Sequence, residues 1–254
     1  MINRYASLRQ GLVGAWCPSV QRCGSGFQLP DLSGYGNNGT LTNMDPGTDW
    51  VASGGKGALD FDGSNDNVSL GTSTTIGKAG DKTLSIWTFL RELNRYQAIV
   101  SCWESDAASF ELFVDVLSSR ITGGFYASTG FVVSATASTN IWQHWIVKQS
   151  GSVYELYRNG VLVSTATNGT RTGTTTATAV FGQRQNNFFF NGQLDDIRTY
   201  NRALTPSEIQ LLYTGGRGVG LAPERIKHRR KTTAAATFKA AWARRQQHIG
   251  SGVY

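Results

Sequence analysis

Proline is scarce in this chain, with five residues among 254, and no stretch approaches the ~18 consecutive apolar residues that a membrane-spanning helix requires. Cysteine is scarcer still, with three residues. Cys17, Cys23 and Cys102 leave at least one thiol unpaired, which excludes a disulfide framework, although Cys17 and Cys23 are close enough to pair across a short excursion. The three histidines, His144, His228 and His248, lie far apart, and no Cys/His cluster has zinc-like spacing. The N-terminal M-I-N-R-Y-A-S-L-R-Q-G lacks the apolar core of a signal peptide, so a soluble protein without an obvious cleaved export signal is expected. Acidic residues are almost missing from the C-terminal end. Residues 217–254 carry nine Lys/Arg against Glu224 alone, a local charge of +8, so the chain's +7 leaves the remainder at −1. A nearly neutral body followed by a basic arm is the organisation this implies, with a boundary at 216/217.

What is abundant is glycine, 30 residues, in a chain that is 40% hydrophobic and 11% aromatic. Thr, Ser, Val and aromatics fill the segments between glycines, the composition of many short strands joined by turns, and an all-β class follows. Residues 11–17, G-L-V-G-A-W-C, form a first strand, and D-L-S-G-Y-G-N-N-G-T-L over 31–41 is a structured loop whose Asp and Asn side chains can bond local backbone. A-L-D-F-D-G-S-N-D-N-V-S-L from Ala58 reads as a strand, turn, strand unit with one wet face. Further strands are expected at 84–90, 98–103, 111–116 and 124–133, and the spacing of about ten residues per strand fits a sandwich. Within 141–165, Trp142, His144, Ile146 and Lys148 alternate with Gln143, Trp145 and Val147, and Asn159-Gly160 predicts a type I′ hairpin turn.

The composition changes at G-Q-L-D-D-I-R-T-Y-N-R-A-L-T-P-S-E-I-Q-L-L-Y, residues 192–213. Leu194, Ile197 and Tyr200 are candidate core positions on a closing strand. Thr205-Pro206-Ser207-Glu208 predicts a helix start with a capping box, and Gly215 is expected as its left-handed stop. So short a helix must pack on the sandwich.

D-L-S-G-Y-G-N-N-G-T-L, A-L-D-F-D-G-S-N-D-N-V, W-Q-H-W with Y-R-N-G-V-L-V, and G-Q-L-D-D-I-R-T-Y-N-R-A-L-T-P-S-E-I resemble the successive signatures of laminin-G-like (concanavalin A-like) domains. The resemblance covers about residues 11–216. It implies a jelly-roll sandwich of two antiparallel sheets closed by a short helix, and it leaves the activity open, since this fold hosts binders and glycosidases alike. G-L-V-G-A-W-C-P-S and F-K-A-A-W-A-R-R-Q-Q-H-I-G-S-G are also similar to the wording of laminin-G-like proteins of bacteriophages and some environmental bacteria, which implies a virion or surface setting.

Glycosidases of this family place their acids on one strand face as E-x-D-x-x-E. Here Glu111 and Asp115 stand four apart without a third acid, so no catalytic residue is expected and the two read as solvent-facing. His144 has no Ser or Cys nucleophile motif beside it and reads as structural. The resemblance also implies calcium held by loop acids. The matching positions are Asp31 and Asp196, with Asn38 and Asp62 as further oxygen donors toward the about six to eight that calcium takes. The alternative is that these side chains cap turns. A surplus of aromatics (Trp87, Trp103, Tyr126, Trp142, Trp145, Tyr157) points to core packing plus a small sugar-stacking platform. Phe188, Phe189 and Trp142 are its candidates, because three consecutive aromatics at 188–190 cannot all face inward on a strand. In the arm, K-H-R-R-K at 227–231 suggests nucleic acid, whereas Phe238 and Trp242, four apart among good helix formers, suggest docking on a neighbouring subunit. Arg229, Arg230, Phe238, Trp242, Arg244 and Arg245 are the candidate contacts of an arm that binds virion or other assembly subunits, with a homo-oligomer and a glycan ligand as further expected partners and no membrane insertion. The expectation is a non-enzymatic structural and adhesive protein of a virion or, alternatively, of the bacterial surface or the extracellular medium.

Overall fold

The alternating segments become sixteen strands in the computed structural model, which describes residues 5–20, 26–72, 76, 79–103, 110–127, 130–167, 177–185 and 187–221. In chain order the strands are β1 (Leu12–Trp16), β2 (Gln28–Leu29), β3 (Gly39–Thr42), β4 (Trp50–Ser53), β5 (Lys56–Asp62), β6 (Asn67–Thr72), β7 (Lys82–Leu90) and β8 (Gln97–Cys102). They continue with β9 (Phe110–Asp115), β10 (Arg120–Ala127), β11 (Gly130–Thr136), β12 (Trp142–Ser150), β13 (Val153–Arg158), β14 (Val161–Thr167), β15 (Thr178–Phe181) and β16 (Asn191–Tyr200), and the helix α1 (Pro206–Gly215) follows. The first sheet runs β14-β13-β12-β7-β16-β5-β4, with β1 also on β16, and the second runs β11-β10-β9-β8-β15-β6-β3-β2. Adjacent strands pair antiparallel throughout, as in β7 with β12 and β9 with β10. This is the expected all-β jelly-roll sandwich of two antiparallel sheets with one short C-terminal helix.

Alternate side chains of both sheets meet between them. Trp16, Phe61, Ile86, Val100, Leu112, Trp145 and Leu194 belong to this continuous core. The strand, turn, strand unit expected over 58–70 is present, but its two strands do not pair with each other, because β5 lies in the first sheet and β6 in the second. Asp62 Oδ1 accepts the Ser64 N–H (2.7 Å) and Asp66 Oδ2 accepts the Asp62 N–H (2.9 Å), so the turn swings the chain across the sandwich. Leu59 and Phe61 then enter the same core as Val68 and Leu70 from opposite sides. The Asn159-Gly160 turn does take positive φ at both residues, 52° and 78°, and joins β13 to β14.

The outer face of the first sheet is covered as well. Leu12, Ile146, Tyr157 and Tyr200 on that face pack with Leu204, Ile209 and Leu212 of the α1 region and with Leu8. Unbroken burial over residues 143–147 of β12 follows from this second layer, where a one-sided strand would alternate. The predicted capping box is present: Thr205 Oγ1 accepts the Glu208 N–H (3.3 Å) and Glu208 Oε2 accepts the Thr205 N–H (3.0 Å). The helix includes Gly215, and the positive-φ residue that ends it is Gly216 (φ 70°), one place later than expected.

The compact unit continues to Leu221 and does not stop at Gly216. Arg217, Val219 and Leu221 are all buried against it. The remaining arm, with the Arg229, Arg230, Phe238, Trp242, Arg244 and Arg245 contacts expected of it, lies outside the described residues, as does Cys23.

Candidate functional site: the open face of the second sheet

While the first sheet is sealed by α1, the second keeps part of its outer face open. In β8 the core takes Val100 and Cys102, so pleating turns Ser101 outward, and by the same parity Glu111 of β9, Val180 of β15 and Ser69 of β6 face away from the core. These residues are register partners: Glu111 opposite Ser101, Ser101 opposite Val180, and Val180 opposite Ser69. They form one row across four strands drawn from distant parts of the chain. A groove of about 510 Å³ lies over this row. Its hydroxyl-bearing walls come from Thr42, Ser69, Ser101 and Thr178, and Trp103 and Phe189 add aromatic surface. Asn43, Asn65, Asn67, Gln183 and Gln185 contribute five carboxamides. Asn43 and Asn67 each donate an amide hydrogen to the Asn65 carbonyl (3.2 Å), which fixes the orientation of two of them.

Arg184 holds one end of the groove. Its guanidinium lies over Trp103 (4.5 Å to the ring centre), Phe188 (4.5 Å) and Phe113 (5.0 Å), and its Nη1 reaches Glu111 Oε2 at 3.1 Å. Glu111, fully buried beneath it, also accepts the Ser101 hydroxyl at 2.5 Å. Burial pushes the Glu111 carboxyl up from its ordinary range, and the Ser101 and Arg184 hydrogen bonds pull it back. Arg184 and Asn187 exchange backbone hydrogen bonds (3.0 and 2.9 Å), and Phe188 adopts a positive φ of 53°, a costly conformation for a bulky residue. These bonds and the Phe188 turn shape the described part of the connection between β15 and β16 that borders the groove.

The residues singled out from the sequence are distributed differently. Phe189 lines the groove, and Phe188 stands behind Arg184, edge-on to Phe113 (5.6 Å) and Tyr96 (6.1 Å). Trp142 is not among the residues lining this groove; the Arg217 guanidinium lies 4.0 Å above its ring and its indole N–H is given to Ser53 Oγ (3.2 Å). Glu111 is not solvent-facing, as it was expected to be. Asp115 does face solvent and binds the Leu117 N–H (3.0 Å) and the Ser118 hydroxyl (2.7 Å) of its own turn. His144 is the structural histidine anticipated: it stacks on Trp87 (5.0 Å), bonds Ser85 Oγ (2.8 Å), and burial lowers its pKa to about 3. The side chain of Tyr126 lies outside the described residues.

The four proposed calcium donors do not assemble a cage. Asp31 accepts the N–H groups of Ala15 (2.9 Å), Ser33 (2.9 Å) and Asn37 (3.0 Å), and Asn38 Oδ1 accepts the Asp31 N–H (2.9 Å). Asp62 caps its own turn. Asp196 is buried in a two-point pair with Arg198 (2.6 and 2.8 Å) and accepts the Gly218 N–H (2.7 Å). Among the described residues no group of three or more His, Cys, Asp or Glu side chains converges as a metal site. Arg184 and the carboxamides were missed from the sequence, although Q-R-Q-N-N at 183–187, directly before the aromatic triplet, is a visible amide-rich run.

A two-sheet antiparallel jelly roll with one sealed and one open face defines a lectin-like β-sandwich. The chain belongs to the concanavalin A-like lectin/glucanases superfamily, whose laminin-G-type model matches residues 62–210. No curated protein matches it. Solved structures of the same fold include domain 4 of AbnA, a GH43 extracellular arabinanase from Geobacillus stearothermophilus in complex with arabinotriose (19% identity, TM-score 0.59, 78% of this chain and 96% of that one). Trypanosoma rangeli sialidase in complex with sialic acid is similar at 16% identity and TM-score 0.60, over 81% of this chain and 33% of the sialidase. The botulinum neurotoxin serotype D binding domain is similar at 16% identity and TM-score 0.61, over 83% and 52%. This chain thus spans about a third of the sialidase and half of the toxin fragment.

Proposed function

We propose that this protein is a non-enzymatic glycan-binding jelly roll that serves as a surface, decoration or tail-associated component of a phage virion, held on its assembly by the arm beyond Leu221. The observation that carries the binding role is the open groove, whose amides, hydroxyls and two rings match the hydrogen-bonding and stacking surfaces of a sugar. A non-catalytic role is supported by the groove's chemistry: among the described lining residues none is acidic, and Glu111 beneath them is covered and paired with Arg184, which leaves no second carboxylate across a bound glycosidic bond. The arabinotriose complex and the toxin binding domain of the same fold are consistent with ligand recognition. The virion setting is supported by the phage-like wording at both ends of the chain and by the charge of +7 that eight Lys/Arg against Glu224 give the arm beyond Leu221.

A glycan array probed with the full chain tests the first part. Binding is expected, with loss in Trp103→Ala and no release of reducing ends from any hit. Deleting residues 222–254 tests the second. Sugar binding is expected to survive while incorporation into particles is lost; normal incorporation without the arm would favour a free-standing bacterial carbohydrate-binding module instead.

A further inference from the structure

We propose that the groove selects uncharged, polyhydroxylated saccharides and rejects acidic ones, an inference that rests on the glycan reading of the site. The basis is its charge balance. Among the described lining residues Arg184 alone is charged, and its charge is already met by Glu111 at 3.1 Å. That carboxylate is fully buried directly below. A saccharide carboxylate or sulfate drawn to Arg184 would have to share it with Glu111, whose full burial limits the screening of the repulsion between the two like charges. The guanidinium is also unable to swing toward such a ligand, because three rings, those of Trp103, Phe113 and Phe188, lie within 5.0 Å of its centre.

The rest of the lining suits hydroxyls. A sugar hydroxyl both donates and accepts, and a carboxamide offers two donor hydrogens and an acceptor oxygen, so five carboxamides can match hydroxyls of either orientation without any net charge. Asn43 and Asn67 are pre-oriented by the Asn65 carbonyl, which reduces the ordering cost of binding. In this site Arg184 is a positioning residue: it sets the Trp103 and Phe188 rings and neutralises Glu111.

The test is calorimetry on the full chain with a neutral oligosaccharide taken from the array and size-matched uronic- or sialic-acid-containing ones. Trp103→Ala serves as the reference, so that acidic sugar held by the basic arm is counted apart from the groove. Trp103-dependent binding is expected for the neutral sugar and at least about tenfold weaker for the acidic ones, with little change from low to high salt. Glu111→Gln, which keeps the shape and removes the charge, is expected to raise the ratio of acidic to neutral Trp103-dependent binding by about tenfold. Acidic sugars bound through Trp103 as tightly as neutral ones, or a steep loss with salt, would overturn the inference while leaving the glycan reading in place; the salt series keeps this decision available should Glu111→Gln fail to fold. A chain that binds neither class overturns the glycan reading itself.

Discussion

Phe188, Phe189 and Phe190 are adjacent in sequence and occupy three environments. Phe190 is fully buried against Phe61 (5.7 Å), Phe189 faces the groove, and Phe188 backs Arg184. A regular strand allows only two directions, and the positive φ of Phe188 supplies the third. Asp196 shows the same kind of local departure. With φ 47° it sits in a bulge between Asp195 and Arg198, where β16 shifts register against β7. The extra residue lets Leu194 and Ile197, which strict alternation would send to opposite faces, both enter the main core. It also aims the Asp196 carboxylate at Arg198 and at the Gly218 N–H, so both oxygens are held inside the protein. A calcium ion there would face a buried guanidinium and would have to displace those bonds. Calcium titrated into chelator-treated protein is therefore expected to give no heat and no rise in melting temperature. A rise of several degrees that vanishes in Asp31→Asn or Asp196→Asn would restore the cation site.

Helix α1 gains from both its cap and its charge. Glu208 accepts from Arg202 at two points (2.8 and 2.7 Å), and Arg202 in turn binds the carbonyls of Ser7 (3.0 Å) and Gln10 (2.9 Å), so one carboxylate ties the helix start to the N-terminal segment. The Arg202 guanidinium first, and the Thr205 hydrogen bonds after it, lower the Glu208 pKa to about 2. A carboxyl whose folded pKa is depressed stabilises the fold above its unfolded pKa, and the contribution is lost as pH falls from about 4.5 through about 2. Glu208→Gln can still close the capping box but cannot pair with Arg202. It is expected to cost on the order of 2 kcal/mol at pH 7, with the difference from the parent shrinking toward pH 2; a cost that is the same at both pH values would show the charge to be irrelevant. Elements of this kind were legible in the sequence because their signals are local. Alternation marked the strands, Thr205 to Glu208 marked the cap, and Asn159-Gly160 marked the hairpin. The passage from β5 to β6 was not legible, since D-G-S-N-D closes a hairpin and a sheet crossing with the same residues. The groove was hidden for a related reason: Glu111, Ser101, Val180 and Ser69 become neighbours only once β15 is placed between β8 and β6.

At the scale of the molecule, the junction between body and arm differs most from its expected form. Composition put the boundary after Gly216, because the basic excess begins with Arg217. Arg217, however, is a body residue. Its guanidinium lies over Trp142, donates to the Ser53 and Gly54 carbonyls, and stands 3.5 Å from Asp195, which is fully buried. Burial, with Asp196 next to it, raises the Asp195 pKa to about 6, and Arg217 and the Ser19 N–H act against that rise. Arg198 donates to the Val219 carbonyl (2.7 Å), and Val219 and Leu221 complete the apolar layer that also contains Leu8, Leu12 and Ile209. Five residues beyond the helix therefore stitch the closing strand, the N-terminal segment and the β4–β5 turn together, and any load on the arm is passed to the body through them. Two truncations separate composition from packing as the true boundary. A chain ending at Leu221 is expected to melt within a degree or two of the full protein. One ending at Gly216 loses the burial of Val219 and Leu221, about 1.5–3 kcal/mol each at most, and takes the Arg217 guanidinium from the buried Asp195 and the Gly218 N–H from Asp196, which keeps Arg198. Its melting temperature is expected to fall by roughly 10 °C or more. Equal melting of the two truncations would mean that residues 217–221 belong to the arm after all, and that the body ends where the charge begins.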